Sequence, residues 1–227
     1  MLALDWLGER LLLSHERALH WPRTATLIVA DVHLGKAAAF RAAGRPVPEA
    51  CTQADLDRLD ALIASTGARR LIVLGDLIHA RTGRAPETVA AVAAWRDRRR
   101  DLAVVLIRGN HDRHAGDPPG DWRVEVVDDE LVECPFVLRH DPASSARGYV
   151  LAGHIHPAVR LWQTAGGGLR APCFAFARGQ ALLPAFGSFT GCHVIEPAHE
   201  DRIFVIGPDA VVEAPRRQPL SQRGGRR

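Results

Sequence analysis

The sequence predicts an α/β fold in which two mixed β-sheets are stacked and flanked by helices. In the first half of the 227-residue chain, short apolar runs alternate with helical patterns, which is typical of parallel strands joined by crossover helices. After about Asp121, short strand patterns follow one another without convincing helices, which indicates a second, mostly antiparallel sheet. Polar residues follow several strands, at the edge where ligands of such sheets bind.

Three strands and two helices are expected in the first sheet and its crossovers. Thr26–Ala30, Arg70–Leu74 and Leu102–Ile107 are continuous apolar runs of the kind found in strands buried on both faces. Glu49–Ser65 carries leucines at helical spacing, and Pro86–Arg99 begins with a proline suited to a first helical turn. The alternating order predicts parallel pairing of the three strands.

The second sheet is expected to consist of short strands. The candidate strands are Trp122–Val127, Leu131–Arg139, Tyr149–Ala152, Pro172–Ala177 and Ile203–Ile206. A chain of this length, with 47% hydrophobic and 24% charged residues, can bury one sizeable core. We therefore expect residues 1–214 to form a single domain and residues 215–227, rich in Arg, Pro, Gly and Gln, to be a flexible tail.

Composition argues against membrane-spanning and secreted proteins. No apolar run reaches the roughly 18 residues that a membrane span needs. Asp5 and Glu9 interrupt the apolar N-terminus, which is unlike a signal peptide. The four cysteines are scattered without a CxxC pair, so a disulfide framework or zinc ribbon is not expected. We therefore expect the protein to lie in a reducing cytoplasm.

The positive charge is almost entirely arginine, and Lys36 is the sole lysine of a chain with a net charge of +3. Arginine suits bidentate contacts with phosphate. A GC-rich genome would produce the same bias, so the arginine content leaves both interpretations open.

Eight side chains after the predicted strands have the chemistry of metal ligands. They are Asp31, His33, Asp76, Asn110, His111, His140, His154 and His156. Carboxylate, amide and imidazole groups without thiolates suit Mn²⁺, Fe²⁺, Zn²⁺, Co²⁺ or Ni²⁺ in a catalytic site. Residues two apart on a strand project to the same side, so we expect the Asp31/His33 and His154/His156 pairs each to face one pocket.

The ordered motifs ADVHLGK (30–36), LGDLIHA (74–80), RGNHD (108–112), RHD (139–141) and AGHIHP (152–157) resemble the calcineurin-like metallophosphoesterase superfamily. Three further segments resemble one bacterial branch, the ligase-associated DNA damage response endonucleases of the PdeM type. These segments are ERALHWP (16–22), DVHLGKAAAFRAAGRPVP (31–48) and LLPAFGSFTGC (182–192). The resemblance implies a four-layer fold and two divalent metal ions, most often Mn²⁺.

The resemblance also implies roles for individual residues. Asp31, His33 and His156 would bind one ion, Asn110, His140 and His154 the other, and Asp76 would bridge both. Two such ions activate water and clamp the phosphate, and His111 would be the acid that protonates the leaving oxygen. Many superfamily members continue the second motif as GDxxD, where the last Asp orients that acid. Here the position is His79, so either His79 or Asp112 substitutes, or His111 is weakly oriented.

Substrate contacts are expected near the first motif. Lys36 follows it directly and Arg41 and Arg45 lie close behind, all suited to a nucleic-acid phosphate. The segment Gly187–Gly191 is either a tight hairpin loop or a loop whose Ser188 or Thr190 contacts phosphate.

Three functions remain open from the sequence. The first is a two-metal phosphodiesterase acting on nucleic acid, a DNA endonuclease in DNA repair, for which the resemblance implies a DNA ligase, a helicase or a second nuclease as partners. The second is a small-molecule phosphomonoesterase or cyclic-nucleotide phosphodiesterase with the same dinuclear site. The third is a scaffold that has lost the site, which the seven competent residues argue against.

Overall fold

The structure, a computed structural model, describes residues 1–45, 47, 51–162 and 168–215. The strands are β1 (Leu2–Trp6), β2 (Glu9–Leu13), β3 (Leu19–Trp21), β4 (Thr26–Val29), β5 (Arg70–Leu74), β6 (Ala103–Ile107), β7 (Val124–Val127), β8 (Glu130–Glu133), β9 (Phe136–Arg139), β10 (Tyr149–Ala152), β11 (Pro157–Trp162), β12 (Gly168–Phe176), β13 (Gln180–Leu182), β14 (His193–Val194), β15 (Arg202–Ile206) and β16 (Val211–Glu213). The α-helices of these residues are α1 (Lys36–Ala42), α2 (Cys51–Thr66), α3 (Pro86–Arg98) and α4 (Asn110–Ala115). The predicted tail covers residues 215–227, of which residues 216–227 lie outside the described residues.

The two predicted sheets are present, and both are mixed. The first has the order β1-β2-β3-β4-β5-β6-β7, antiparallel from β1 to β4 and parallel from β4 to β7. The second runs β14-β11-β12-β13-β10-β9-β8, with β15 and β16 added beside β12. Its pairs are antiparallel except β9–β10, β10–β13 and β11–β14, so the predicted mostly antiparallel sheet is confirmed. The candidate strand Trp122–Val127, expected in this sheet, instead forms β7 of the first sheet, where it pairs in parallel with β6.

Two hydrophobic layers hold the sheets and helices together. Between the sheets, residues such as Ile28 and Leu74 of the first pack with Phe136 and Phe174 of the second. The other face of the first sheet packs against α2 and α3 through residues that include Leu59. The predicted α/β class, with two stacked sheets and flanking helices, is confirmed.

Two further sequence assignments need correction or extension. The single strand expected over Leu131–Arg139 is a hairpin of β8 and β9, because Pro135 cannot donate a ladder hydrogen bond and the chain turns there. The strands β1 to β3 were not predicted, although Leu2, Leu4 and Trp6 alternate with the exposed Ala3 and Asp5 before the Leu7-Gly8 turn. No helix among the described residues is long and apolar enough to cross a membrane.

Candidate functional site

The seven candidate ligands converge where strands of both sheets end. Asp31 and His33 follow β4, Asp76 follows β5, and Asn110 follows β6, and these three strands are parallel neighbours. His140 follows β9, and His154 and His156 follow β10, which pairs in parallel with β9. Parallel strands end at one edge, so residues distant in the chain become neighbours there.

The local backbone differs from the predicted strand geometry. Five of the seven candidates have left-handed backbone torsions, with φ values between 52° and 68°: Asp31, His33, Asp76, His154 and His156. These residues therefore lie in turns after the strands, and alternation along a strand does not explain why the pairs face one pocket. Non-glycine residues in this region cost of order 1–3 kcal/mol each, and such strain is concentrated at functional sites.

The first group of donor atoms consists of Asp31, His33 and His156. The Asp31 Oδ1 atom lies 3.4 Å from His156 Nε2, and the other nitrogen of that ring donates to the Gly191 carbonyl at 3.2 Å. Asp31 Oδ2 accepts the His154 amide at 2.9 Å. Asp31 Oδ1 is fully buried and has no hydrogen-bond partner, which is costly for a carboxylate oxygen unless a cation binds it.

The second group of donor atoms is a triangle with sides of about 3 Å. Asn110 Oδ1 lies 2.9 Å from His140 Nε2 and 3.1 Å from His154 Nδ1, and the two imidazole nitrogens are 3.0 Å apart. His140 Nδ1 donates to the Leu74 carbonyl at 2.9 Å, so a neutral His140 presents a lone pair at Nε2. Two acceptors facing each other at 2.9 Å are favourable only with a proton or a cation between them.

Asp76 lies between the two groups. Its Oδ1 atom is 3.6 Å from His140 Nε2, and its Oδ2 atom is 4.0 Å from His33 Nε2. The two oxygens of one carboxylate thus face different groups of nitrogen donors. The donor set therefore fits two divalent cations, since each group, with Asp76 shared between them, contains carboxylate oxygen and imidazole nitrogen, and Asp31 Oδ1 is a buried oxygen without a partner.

Burial shifts the pKa values in this site. Burial raises the pKa of Asp76, and the neighbouring Asp31 charge adds to that increase. Burial lowers the pKa of His33 to about 2, with the Lys36 ammonium adding to the effect, so this imidazole is neutral and able to bind a metal. Burial has the largest effect on His156 and opposes its charge, but the neighbouring Asp31 carboxylate and the Gly191 carbonyl together outweigh it and raise the pKa overall.

At the position where many superfamily members have the last Asp of GDxxD, a backbone carbonyl holds the His111 ring in this chain. His111 Nδ1 lies 2.6 Å from the His79 carbonyl oxygen, and the two rings are stacked with centroids 4.9 Å apart. The ring is therefore oriented by the main chain of His79. Asp112 does not substitute, because its carboxylate is buried and accepts the amides of Ile78 and Gly109, each at 3.0 Å. His111 Nε2 then faces Asp76 Oδ2, at 4.0 Å.

The predicted substrate-binding residues lie at different distances from this centre. Lys36 lines a small cavity together with His33, and burial lowers its pKa while Asp31 and Asp76 oppose that decrease. Arg41 donates to the Val47 carbonyl at 3.3 Å, and the Arg45 guanidinium lies 5.5 Å from the Phe40 ring centroid. Only Lys36 is thus close to the candidate ligands by these contacts.

Sequence reasoning missed how closely two glycines approach the site. A Cβ on Gly75 would lie 2.8 Å from the Cβ of His140 and still closer to its ring, and a Cβ on Gly109 would lie 2.5 Å from the Asp76 amide nitrogen. The glycines before candidate ligands were expected to allow sharp turns. The structure shows a further reason for glycine at these two positions: the backbone passes directly against candidate ligands from other strands, which leaves no room for a side chain.

Comparison with known proteins gives a consistent result. The sequence profile described as calcineurin-like phosphoesterase matches residues 25–164. The structure is similar to that of a Pseudomonas putida nuclease, MPE, with a TM-score of 0.81 and 44% identity, covering 93% of this chain and 99% of that chain.

A phosphoesterase from E. coli, Yfce, matches with a TM-score of 0.42 and 17% identity over 85% of this chain and 99% of that one. Among curated proteins there is no match.

Proposed function

The chain belongs to the calcineurin-like phosphoesterase family and is a metal-dependent phosphoesterase, and from this premise we propose that it is a two-metal DNA endonuclease acting in DNA repair. The main support is the convergence of two groups of oxygen and nitrogen donors on either side of Asp76. Similarity over nearly the whole chain to a nuclease supports nucleic acid as the substrate class. A DNA ligase, a helicase or a second nuclease is the expected kind of partner.

We assign the candidate ligands to two ions. Asp31, His33 and His156 would hold one ion, and Asn110, His140 and His154 would hold the other; Asp76 would contact both. Divalent ions bound there supply Lewis-acid activation of water and neutralise charge on the phosphate. Mn²⁺ is the proposed metal, because the resemblance to the PdeM type implies it; the mixed oxygen and imidazole set without thiolates also suits Fe²⁺, Zn²⁺, Co²⁺ or Ni²⁺.

His111 has the proposed role of general acid. Its Nδ1 hydrogen donates to the His79 carbonyl, so Nε2 is the nitrogen that carries and releases the second proton. From Nε2 that proton would pass to the departing alkoxide oxygen, a contribution typically worth about 10²–10⁴-fold. His111→Ala should therefore slow cleavage of alkyl esters more than cleavage of nitrophenyl esters, whose leaving groups need no proton. Equal losses on both would contradict this role.

Lys36 is the proposed phosphate contact nearest the centre. Its ammonium lies on the cavity that His33 lines, and it is half-buried, so the charge is incompletely screened by water. Arg41 and Arg45 are further along the chain and are proposed to contact phosphates away from the scissile bond.

The decisive experiment is nicking of a circular single-stranded DNA by the Mn²⁺-loaded protein. We expect linear product, because an endonuclease needs no strand end, together with turnover of a bis-aryl phosphate. His140→Ala should abolish both activities, whereas the matched histidine control His199→Ala, on the exposed surface, should leave both unchanged. Turnover of a mono-aryl phosphate alone would refute the nuclease proposal in favour of a phosphomonoesterase.

A further inference from the structure

An aromatic pair, of which Phe189 is exposed and Phe40 half-buried, borders the candidate metal centre. Phe40 belongs to α1, and Phe189 belongs to the segment Gly187–Gly191; their ring centroids are 5.4 Å apart with an interplanar angle of 84°. Phe189 keeps 40% of its surface exposed. The exposed ring of Phe189 is therefore accessible to a ligand that approaches the candidate metal centre.

The pair is connected to the candidate acid through a row of rings. The Phe40 centroid lies 6.3 Å from the His79 ring, which stacks on His111 at 4.9 Å. Phe189 also lines the small cavity shared by His33 and Lys36. The two phenylalanines therefore lie at the entrance to the proposed catalytic centre. The nucleotides next to a scissile phosphate would pass there.

The segment that carries Phe189 is firmly attached to the fold. The Ser188 amide donates to the buried Asp55 carboxylate, at 3.1 and 3.2 Å to its two oxygens, and the Gly187 amide donates to the Asp31 carbonyl at 3.2 Å. The Thr190 hydroxyl donates to the Gly187 carbonyl within the segment. Phe189 is thus held in place before any ligand arrives, which reduces the entropy lost on binding.

Two cations lie near the pair. The Arg45 guanidinium lies 5.5 Å from the Phe40 ring centroid, and Lys36 lines the same cavity as Phe189. Aromatic faces bind bases, and flanking cations bind the phosphates that link them. A ligand with both features is a nucleic-acid strand.

We propose that Phe189 and Phe40 form a stacking platform for an unpaired base next to the scissile phosphate. The inference rests on the proposed nuclease function and extends it to the strand state of the substrate. In a duplex each base is stacked between its neighbours and unavailable, so the platform favours single-stranded or unpaired DNA.

The test separates stacking from simple packing. Phe189→Leu retains apolar volume without a ring, whereas Phe189→Trp retains a ring. A fluorescent single strand of about 12 nucleotides is titrated in EDTA, and the dissociation constant is read from anisotropy. We expect Phe189→Leu to weaken binding by about 5- to 150-fold, Phe189→Trp to restore it, and Val132→Ala, equally exposed at 40%, to have no effect.

DNA single strands that lack one base at a chosen position complete a double-mutant cycle with the Phe189→Leu variant. At one position, removal of the base should weaken binding to the wild-type protein and cause no further loss in Phe189→Leu. In nicking assays with Mn²⁺ the same variant should raise KM and keep kcat. Unchanged binding in Phe189→Leu, or equal losses in Leu and Trp variants, would overturn the platform. If the wild-type protein neither binds nor cuts the strand, the proposed nuclease function itself fails.

Discussion

Gly75→Ala tests whether the close approach of the backbone to His140 determines metal binding. Gly75 has φ of 76°, and a Cβ added there would lie 2.8 Å from the His140 Cβ and inside contact distance of its ring atoms Cγ and Nδ1. His140 Nδ1 is the atom that donates to the Leu74 carbonyl and so fixes which nitrogen faces Asn110. The substitution should displace this ring.

The expected magnitude has two parts. An alanine with left-handed torsions costs about 1–2 kcal/mol of unfolding free energy, which lowers the Tm of a chain of this size by roughly 2–8 °C. Loss of the contacts that orient a ligand typically weakens metal affinity by about 10–100-fold, or about 1.4–2.8 kcal/mol. The loss of metal affinity is expected only for a glycine whose missing side chain makes room for a metal-binding residue.

Gly67→Ala is the matched control, because Gly67 has φ of 66° and open space within 4 Å of an added Cβ. Calorimetric titration with Mn²⁺ measures affinity, and thermal unfolding in EDTA measures stability. Both variants should lose stability, but only Gly75→Ala should lose Mn²⁺ affinity. Equal Mn²⁺ affinity in the two variants would show that His140 tolerates displacement or is not a ligand.

Three further outcomes are expected. Asp112→Ala should lower the free energy of unfolding by about 2–4 kcal/mol, because two buried amides lose their acceptor, and it should slow alkyl and nitrophenyl esters in the same proportion; a selective loss on alkyl esters would restore Asp112 as the residue that orients His111. Burial raises the pKa of the Cys173 thiol to about 12, so at pH 8 only about 10⁻⁴ of it is thiolate, and native-state alkylation followed by mass spectrometry should label the exposed Cys134 and spare Cys173 until the protein is unfolded. Asp55→Ala should make the Ser188 amide exchange its proton with solvent faster in hydrogen-exchange measurements, since that amide loses a buried acceptor; unchanged protection would mean that other contacts hold the segment.

The residue types and their order were sufficient to predict the family, the two sheets and the set of candidate ligands. Apolar runs such as Arg70–Leu74 form buried strands in almost any context, and the polar residues after them necessarily lie at the strand ends. A hairpin such as β8–β9 was harder to predict, because its two halves form one apolar run interrupted only by a short turn. The strands β1 to β3 pair with their neighbours in the chain and contain none of the candidate ligands, so the motifs gave no indication of them.

What the tertiary structure decided is which groups face one another. Sequence alone predicted carboxylates and imidazoles near one edge, but Asp76 separates two donor groups only because β5 lies between β4 and β6 and the second sheet supplies His140 and His154. The partner of His111 proved to be a backbone carbonyl, an acceptor that every residue possesses and no motif encodes. The sequence determines which chemical groups the side chains offer, whereas the distances between residues far apart in the chain depend on how the sheets pack.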